Sequence, residues 1–150
     1  MSGIKIIMKS IDVAFSIYSK IPMPKFTWDS SDMKYHLCYC PWIGAVIGGL
    51  EWLWFRLAEW RSMGQICFVL FGVSIPLLVT GGFHMDGFMD TMDAIYSYQN
   101  RERKLEILKD PHIGAFSVIC LAIYGLLFTG FFSEIKRPEY FGVFCCSFFL

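Results

Sequence analysis

Charge is scarce in this chain. Of its 150 residues 17% are charged, against about 25% in ordinary soluble domains. The charge present is balanced, with 13 basic and 13 acidic residues. No basic excess exists to hold a polyanion, so nucleic-acid binding finds no support. The six cysteines include no CxxC pair, and Cys67, Cys120, Cys145 and Cys146 lie in apolar runs. There they behave as small hydrophobes, which argues against a disulfide framework or a zinc site. The N-terminal segment does not read as a cleavable signal peptide: Asp12 interrupts its apolar stretch and no small-residue cleavage site follows. Internal repeats and low-complexity tracts are absent. One further gap matters later: from Ser62 to Asn100 there is no Lys or Arg.

What is abundant is apolar. Hydrophobic residues make up 55% of the chain and aromatics 18%. Residues 64–83 and 113–132 are uncharged runs of twenty residues each. At about 1.5 Å per residue a helix of that length reaches roughly 30 Å, the depth of a bilayer's hydrocarbon core. Residues 41–57 form a weaker span, opened by Pro41 and carrying Glu51 and Arg56. Trp42, Trp52, Trp54 and Trp60 suit its headgroup levels. Residues 4–21 mix apolar residues with Lys5, Lys9, Asp12 and Lys20, which predicts an amphipathic interfacial helix ended by Pro22 and Pro24. Residues 25–40 read as a polar, turn-rich connection, and Pro76 predicts a kink. A new apolar run begins at Tyr140 and is still running at Leu150. The expected fold is therefore all-α: a polytopic transmembrane helix bundle of about three complete spans, with an N-terminal amphipathic helix and the start of a further span. It reads as one integral membrane domain over 1–150, the N-terminal part of a longer one. The loops 18–40 and 84–112 hold seven basic residues against four on the other side. This predicts that they face the cytoplasm of a bacterial cell, with the lipid bilayer as a partner.

The informative stretch is GGFHMDGFMDTMDA, residues 81–94. On a helix turning about 100° per residue, Asp86, Asp90 and Asp93 share a face about 60° wide. Like charges so placed repel, more strongly where partly desolvated. No basic residue is near enough in sequence to offset them. A divalent cation would: Mg²⁺ takes one or two carboxylates, keeps water, and fills its sphere with substrate phosphate. The bland alternative is that Asp86 caps the new helix and the other two acids are merely solvated. Gly81, Gly82 and Gly87 permit a tight turn and close approach of backbone to ligand. His84 lies on another face of the helix, as a structural or interfacial group with a substrate contact open to it.

A second polar cluster is RERKLEILKDPHIG, residues 101–114. Arg101, Arg103, Lys104 and Lys109 are suited to phosphate, or simply to a solvated cytoplasmic helix; Asp110 and His112 follow just before the third span. Glu51 is either a functional intramembrane acid or a marker of the segment's interfacial end. Acids at a membrane edge, a metal and nearby bases together suggest phosphoryl chemistry, in which a protein mostly positions groups and offsets charge.

The acidic motif resembles the signature of the cobalamin-5'-phosphate synthase (adenosylcobinamide-GDP ribazoletransferase) family, with His84, Asp86, Gly87, Asp90 and Asp93 all matching. YSKIPMP (18–24), PWIGAVIG (41–48) and RERKLEILKDPHIGAFSV (101–118) resemble further family elements in the same order. Many members carry Ser-Arg where this chain has Pro111 and His112, leaving His112 to take the arginine's place. The resemblance implies Mg²⁺ held by Asp86, Asp90 and Asp93, with Asp93 also accepting a substrate proton as the catalytic base. It implies adenosylcobinamide-GDP and α-ribazole, or its 5'-phosphate, as substrates. Lys20, His84, Arg101, Arg103, Lys109, Asp110 and His112 are the substrate-binding candidates. A homo-oligomer stays open. The rivals are weaker. A CDP-alcohol phosphotransferase has Ala-Arg where this chain has Asp90-Thr91, a prenyltransferase wants a second acidic motif, and a cation transporter would place its acids at mid-membrane.

Overall fold

The computed structural model describes residues 3–24 and 32–148. Its elements are α1 (Gly3–Tyr18), a 3-10 helix (Asp32–Tyr39), α2 (Cys40–Trp60), α3 (Gln65–Thr80), α4 (Phe83–Tyr96), α5 (Arg101–Ile107), α6 (Ala115–Ser133) and α7 (Pro138–Ser147). No strand occurs among the described residues.

Proline and glycine set most of the boundaries. Pro41 and Pro138 sit in the first turns of α2 and α7, where a missing N–H leaves no helix hydrogen bond unmade. α3 stops at Gly81 and Gly82, both left-handed with φ of 65° and 78°. This double-glycine turn swings α4 through 91° relative to α3. The apolar run 64–83 is thus cut three residues early, and its last residue opens the next helix. The polar connection 25–40 contains the 3-10 helix, whereas 25–31 lie outside the described residues.

α6 is the one described helix long and apolar enough to cross a membrane alone; α3 and α4 pass that test together, as a bent pair. α2 is 21 residues long, but Glu51, Arg56 and its tryptophans dilute its apolar character. Ile119, Ile123, Leu126 and Phe131 on α6 are exposed, Leu126 to 75%.

α2 and α3 form an antiparallel hairpin that α7 and α6 pack against. One core cluster gathers Phe55, Val69, Phe132, Phe141 and Cys145, with Phe68 and Phe144 against it. Its density depends on Gly72, where any Cβ would run into the Phe132 ring. The second cluster is Ile43, Ile47 and Val79 with Phe15 and Tyr18. It lies under the end of α3 from which α4 departs. Glu51 is completely buried, and neither carboxyl oxygen has a hydrogen-bond partner among the described residues. Its carboxyl therefore lies in the protein interior and not on the helix surface.

Candidate active site

The site is built around the two ends of α4. At its start, the Lys20 amide donates to the Val79 carbonyl at 2.7 Å. This lays the Tyr18–Pro24 segment across the end of α3. The Lys20 stem then covers Gly81, where a Cβ would strike it. Gly81 is thus required twice, for its positive φ and for this contact. Tyr18 lies between two histidines. Its ring is parallel to His36 at 5.8 Å and to His84 at 6.4 Å, and Phe83 meets it edge-on at 5.2 Å. The Tyr18 hydroxyl and His36 Nε2 are hydrogen-bonded at 3.1 Å. Two stretches distant in sequence, 18–24 and 81–94, are therefore in contact.

α4 begins at Gly82, which has no side-chain cap, and the Asp86 amide donates to the Gly82 carbonyl at 2.9 Å. Asp86 thus stands inside the first turn and does not serve as the cap. A carboxylate there is favoured by the positive end of the helix dipole. Asp86 is exposed and Asp90 half-buried.

Asp93 has a different environment. α4 runs antiparallel to the first half of α6, with Phe88 against Tyr124 and Tyr96 against Phe116. This brings Asp93 over the start of α6, where its two oxygens accept from the Gly114 amide at 2.7 Å and the Ser117 amide at 2.9 Å. A helix leaves its first four amides unpaired, and here an acid from a neighbouring helix takes two of them. Gly114 must lack a side chain, because a Cβ would overlap the Asp93 carboxylate.

The second polar cluster is spread along a surface. Asn100 caps α5 by accepting from the Arg103 amide at 3.0 Å. Arg103 pairs with Glu106 at 2.6 Å with both side chains exposed, a pairing worth little in water. Arg101 and Lys109 are also exposed. Asp110 meets the His112 ring at 2.5 Å and accepts from the His112 amide at 3.0 Å. The His112 hydrogen bonds hold the Asp110 carboxyl below the usual carboxylate range.

The described residues hold no group of three or more His, Cys, Asp or Glu side chains close enough to share an ion. Asp86 and Asp90 are two carboxylates on a helix without Lys or Arg, a donor pair of the kind Mg²⁺ takes. Asp93 already has its oxygens on α6. Sequence reasoning did not single out His36, Gly114 or Ser117. The Gly-x-x-Ser pattern ahead of an apolar run signals a helix start, but nothing in it announces an acid 21 residues earlier.

Two cavities adjoin His84. One, of about 410 Å³, lies between α3 and α6 and includes Pro76, Thr80, Tyr124 and Phe128. The other, of about 480 Å³, includes Tyr18, Cys40, Gly44 and Thr80. A third, of about 340 Å³, sits at the far end of α2 beside Met63 and Lys136, with no residue of the acidic motif.

The family description "Cobalamin-5-phosphate synthase" matches residues 10–149. Among curated relatives, an adenosylcobinamide-GDP ribazoletransferase of Lachnoclostridium phytofermentans is 51% identical over 128 residues, covering 85% of this chain and 49% of its own. One from Clostridium perfringens is 37% identical over 89% of this chain and 53% of its own, and one from Listeria monocytogenes is 31% identical over 90% and 54%. The chain thus spans about half the length of these relatives. No solved structure matches it. Sequence motifs, their convergence in space and these matches agree: this chain belongs to the cobalamin-5-phosphate synthase family.

Proposed function

We propose that this chain supplies the acidic half of a membrane phosphotransferase that joins adenosylcobinamide-GDP to α-ribazole or its 5'-phosphate. The observation that carries the reading is spatial. The Tyr18–Pro24 segment, the start of α2 and the start of α6 all meet around α4, the acidic helix.

In this reading the bundle is polytopic, with α2, the α3–α4 pair and α6 in a bacterial cytoplasmic membrane. The exposed apolar face of α6 supports it, because lipid and not water is the solvent such a face suits. Asp86 and Asp90 hold Mg²⁺, which when bound offsets the charge of the diphosphate. Lys20 is held at the start of α4 by its backbone, leaving its ammonium to meet a phosphate beside that metal. Arg101 and Lys109 lie free on the surface for the nucleotide phosphate, while Arg103 must first leave Glu106. Asp110 and His112 act as a pair on the same loop.

The bond made joins the ribazole 3'-oxygen to the phosphorus nearer the cobinamide. The bond broken links that phosphorus to the oxygen shared with GMP, which leaves with the electron pair. A carboxylate accepts the hydroxyl proton. Asp93 can take that part only if its hydrogen bonds to Gly114 and Ser117 give way; while they hold, its role is to fix the 108–114 loop against α4.

The test is a product assay on the native full-length protein in membranes. Mass spectrometry should find adenosylcobalamin or its phosphate, and GMP, in a reaction that EDTA stops. An absence of product from well-inserted protein, with CDP-alcohols turned over instead, would replace this reading.

A further inference from the structure

Glycine inside a helix costs about 1 kcal/mol relative to alanine, so a helical glycine calls for a reason. Gly48 and Gly72 have one in packing. At Gly87, in the second turn of α4, a Cβ meets nothing within 4 Å, as at Gly49, Gly125 and Gly130; what sets Gly87 apart is its place on the acidic helix. At about 100° per residue Gly87 lies about 60° from His84 on one side and about 60° from Asp90 on the other. It is a bare strip of backbone between the cavity behind His84 and the acidic face. That cavity has about 410 Å³ of space, walled by apolar and aromatic side chains, with Thr80 and His84 as polar groups. Tyr124 and Phe128 in its wall are parallel at 5.9 Å. A volume of this size, mostly apolar with a few polar groups, is typical of a small-ligand pocket.

Resting on the function proposed above, we propose that this cavity takes the flat benzimidazole base of the ribazole, and that the attached ribose crosses α4 over Gly87 to the acids. Aromatic walls suit a planar apolar base. His84 stands where it meets a ring nitrogen or a ribose hydroxyl. Gly87 lets the sugar lie on the helix backbone, and a methyl there would lift it away from Asp86 and Asp90.

Two substitutions test this in the full-length protein in nanodiscs. Gly125 lines the cavity from α6 and a Cβ on it meets nothing within 4 Å, so Gly125→Leu fills the space from the α6 side. Its KM for α-ribazole should rise about tenfold or more, the scale of a filled apolar pocket, with KM for adenosylcobinamide-GDP unchanged. Gly87→Ala should hold or raise the melting temperature while kcat/KM for α-ribazole falls, a split that a merely structural glycine would not produce. Saturation-transfer NMR with 5,6-dimethylbenzimidazole reads the cavity independently of turnover; the signal should be present in wild type and lost in Gly125→Leu. An unchanged ribazole KM in Gly125→Leu, or no benzimidazole signal in wild type, overturns the cavity assignment even if the enzyme is active. So does a phospholipid that co-purifies and is lost in Gly125→Leu while ribazole KM stays. Absence of turnover in wild type removes the function instead, and the benzimidazole signal still decides the cavity.

Discussion

Around Phe55, at one end of the α2–α3 hairpin, aromatic rings interlock between α2, α3, α6 and α7, with the cavity of about 340 Å³ on their outer side. Phe55 and Phe141 stack at 4.7 Å, and Phe132 and Phe141 are completely or almost completely buried. Around Ile43, at the other end, the chain is joined by single hydrogen bonds, a double-glycine turn and cavities that adjoin His84. The first end obtains its stability from packing. The second gives up packing to keep polar groups and open volume where α4 begins. Residues at the two ends should therefore fail differently when changed.

The largest expected effect is at the open end. Asp86→Asn or Asp90→Asn should lower turnover by about a thousandfold, the scale seen when charge stabilisation in a site is lost. The melting temperature should hold, because neither acid is fully buried. A normal rate in both would separate the acidic motif from the chemistry. At the packed end, Phe132→Ala should cost about 3–5 kcal/mol, read by reversible unfolding in detergent; a small cost would mean that the cluster around Gly72 collapses to refill the space. Asp93→Ala sits between the two. It unpairs the Gly114 and Ser117 amides, which should cost about 1–2 kcal/mol, as lost caps do, and speed hydrogen exchange at those two amides. Exchange unchanged there would show that water replaces the carboxylate at no cost. The smallest effect belongs to Asp110. Its carboxyl is held below the usual range by the His112 hydrogen bonds, so any stability it adds is present above the ordinary carboxylate pKa and is lost as pH falls through its lowered value. The pair is exposed, and Asp110→Ala should leave thermal stability unchanged; a clear drop would place this loop in the fold and not only on its surface.

Composition revealed the helical class, and the apolar run 113–132 became α6 within two residues at its start. Pro41 marks the opening of α2 because a ring without an N–H fits a helix's first turn at no cost in hydrogen bonds. The second run, 64–83, ends as a helix at Thr80, since hydropathy measures how apolar a segment is and not where it bends. Gly81 and Gly82 read as permissive, but that both adopt positive φ, with Lys20 lying over Gly81, is set where α3 meets the Tyr18–Pro24 segment. The acids were placed on one helical face by spacing alone. That one of them, Asp93, turns to α6 is a tertiary fact that follows from the antiparallel packing of two helices. The His36–Tyr18–His84 stack has the same origin: its members are separated in the chain and meet only when the ends of α1 and α3 are side by side.

The bond between Asp93 and the start of α6 also bears on how the protein is made. Its two sides leave the ribosome 21 to 24 residues apart. α4 therefore emerges with an unengaged carboxylate and α6 with bare amides at its start, groups that water alone must satisfy until the two helices meet. Docking α6 against α4 satisfies both at once. The acidic helix and α6 are thus expected to become ordered together, each supplying what the other lacks.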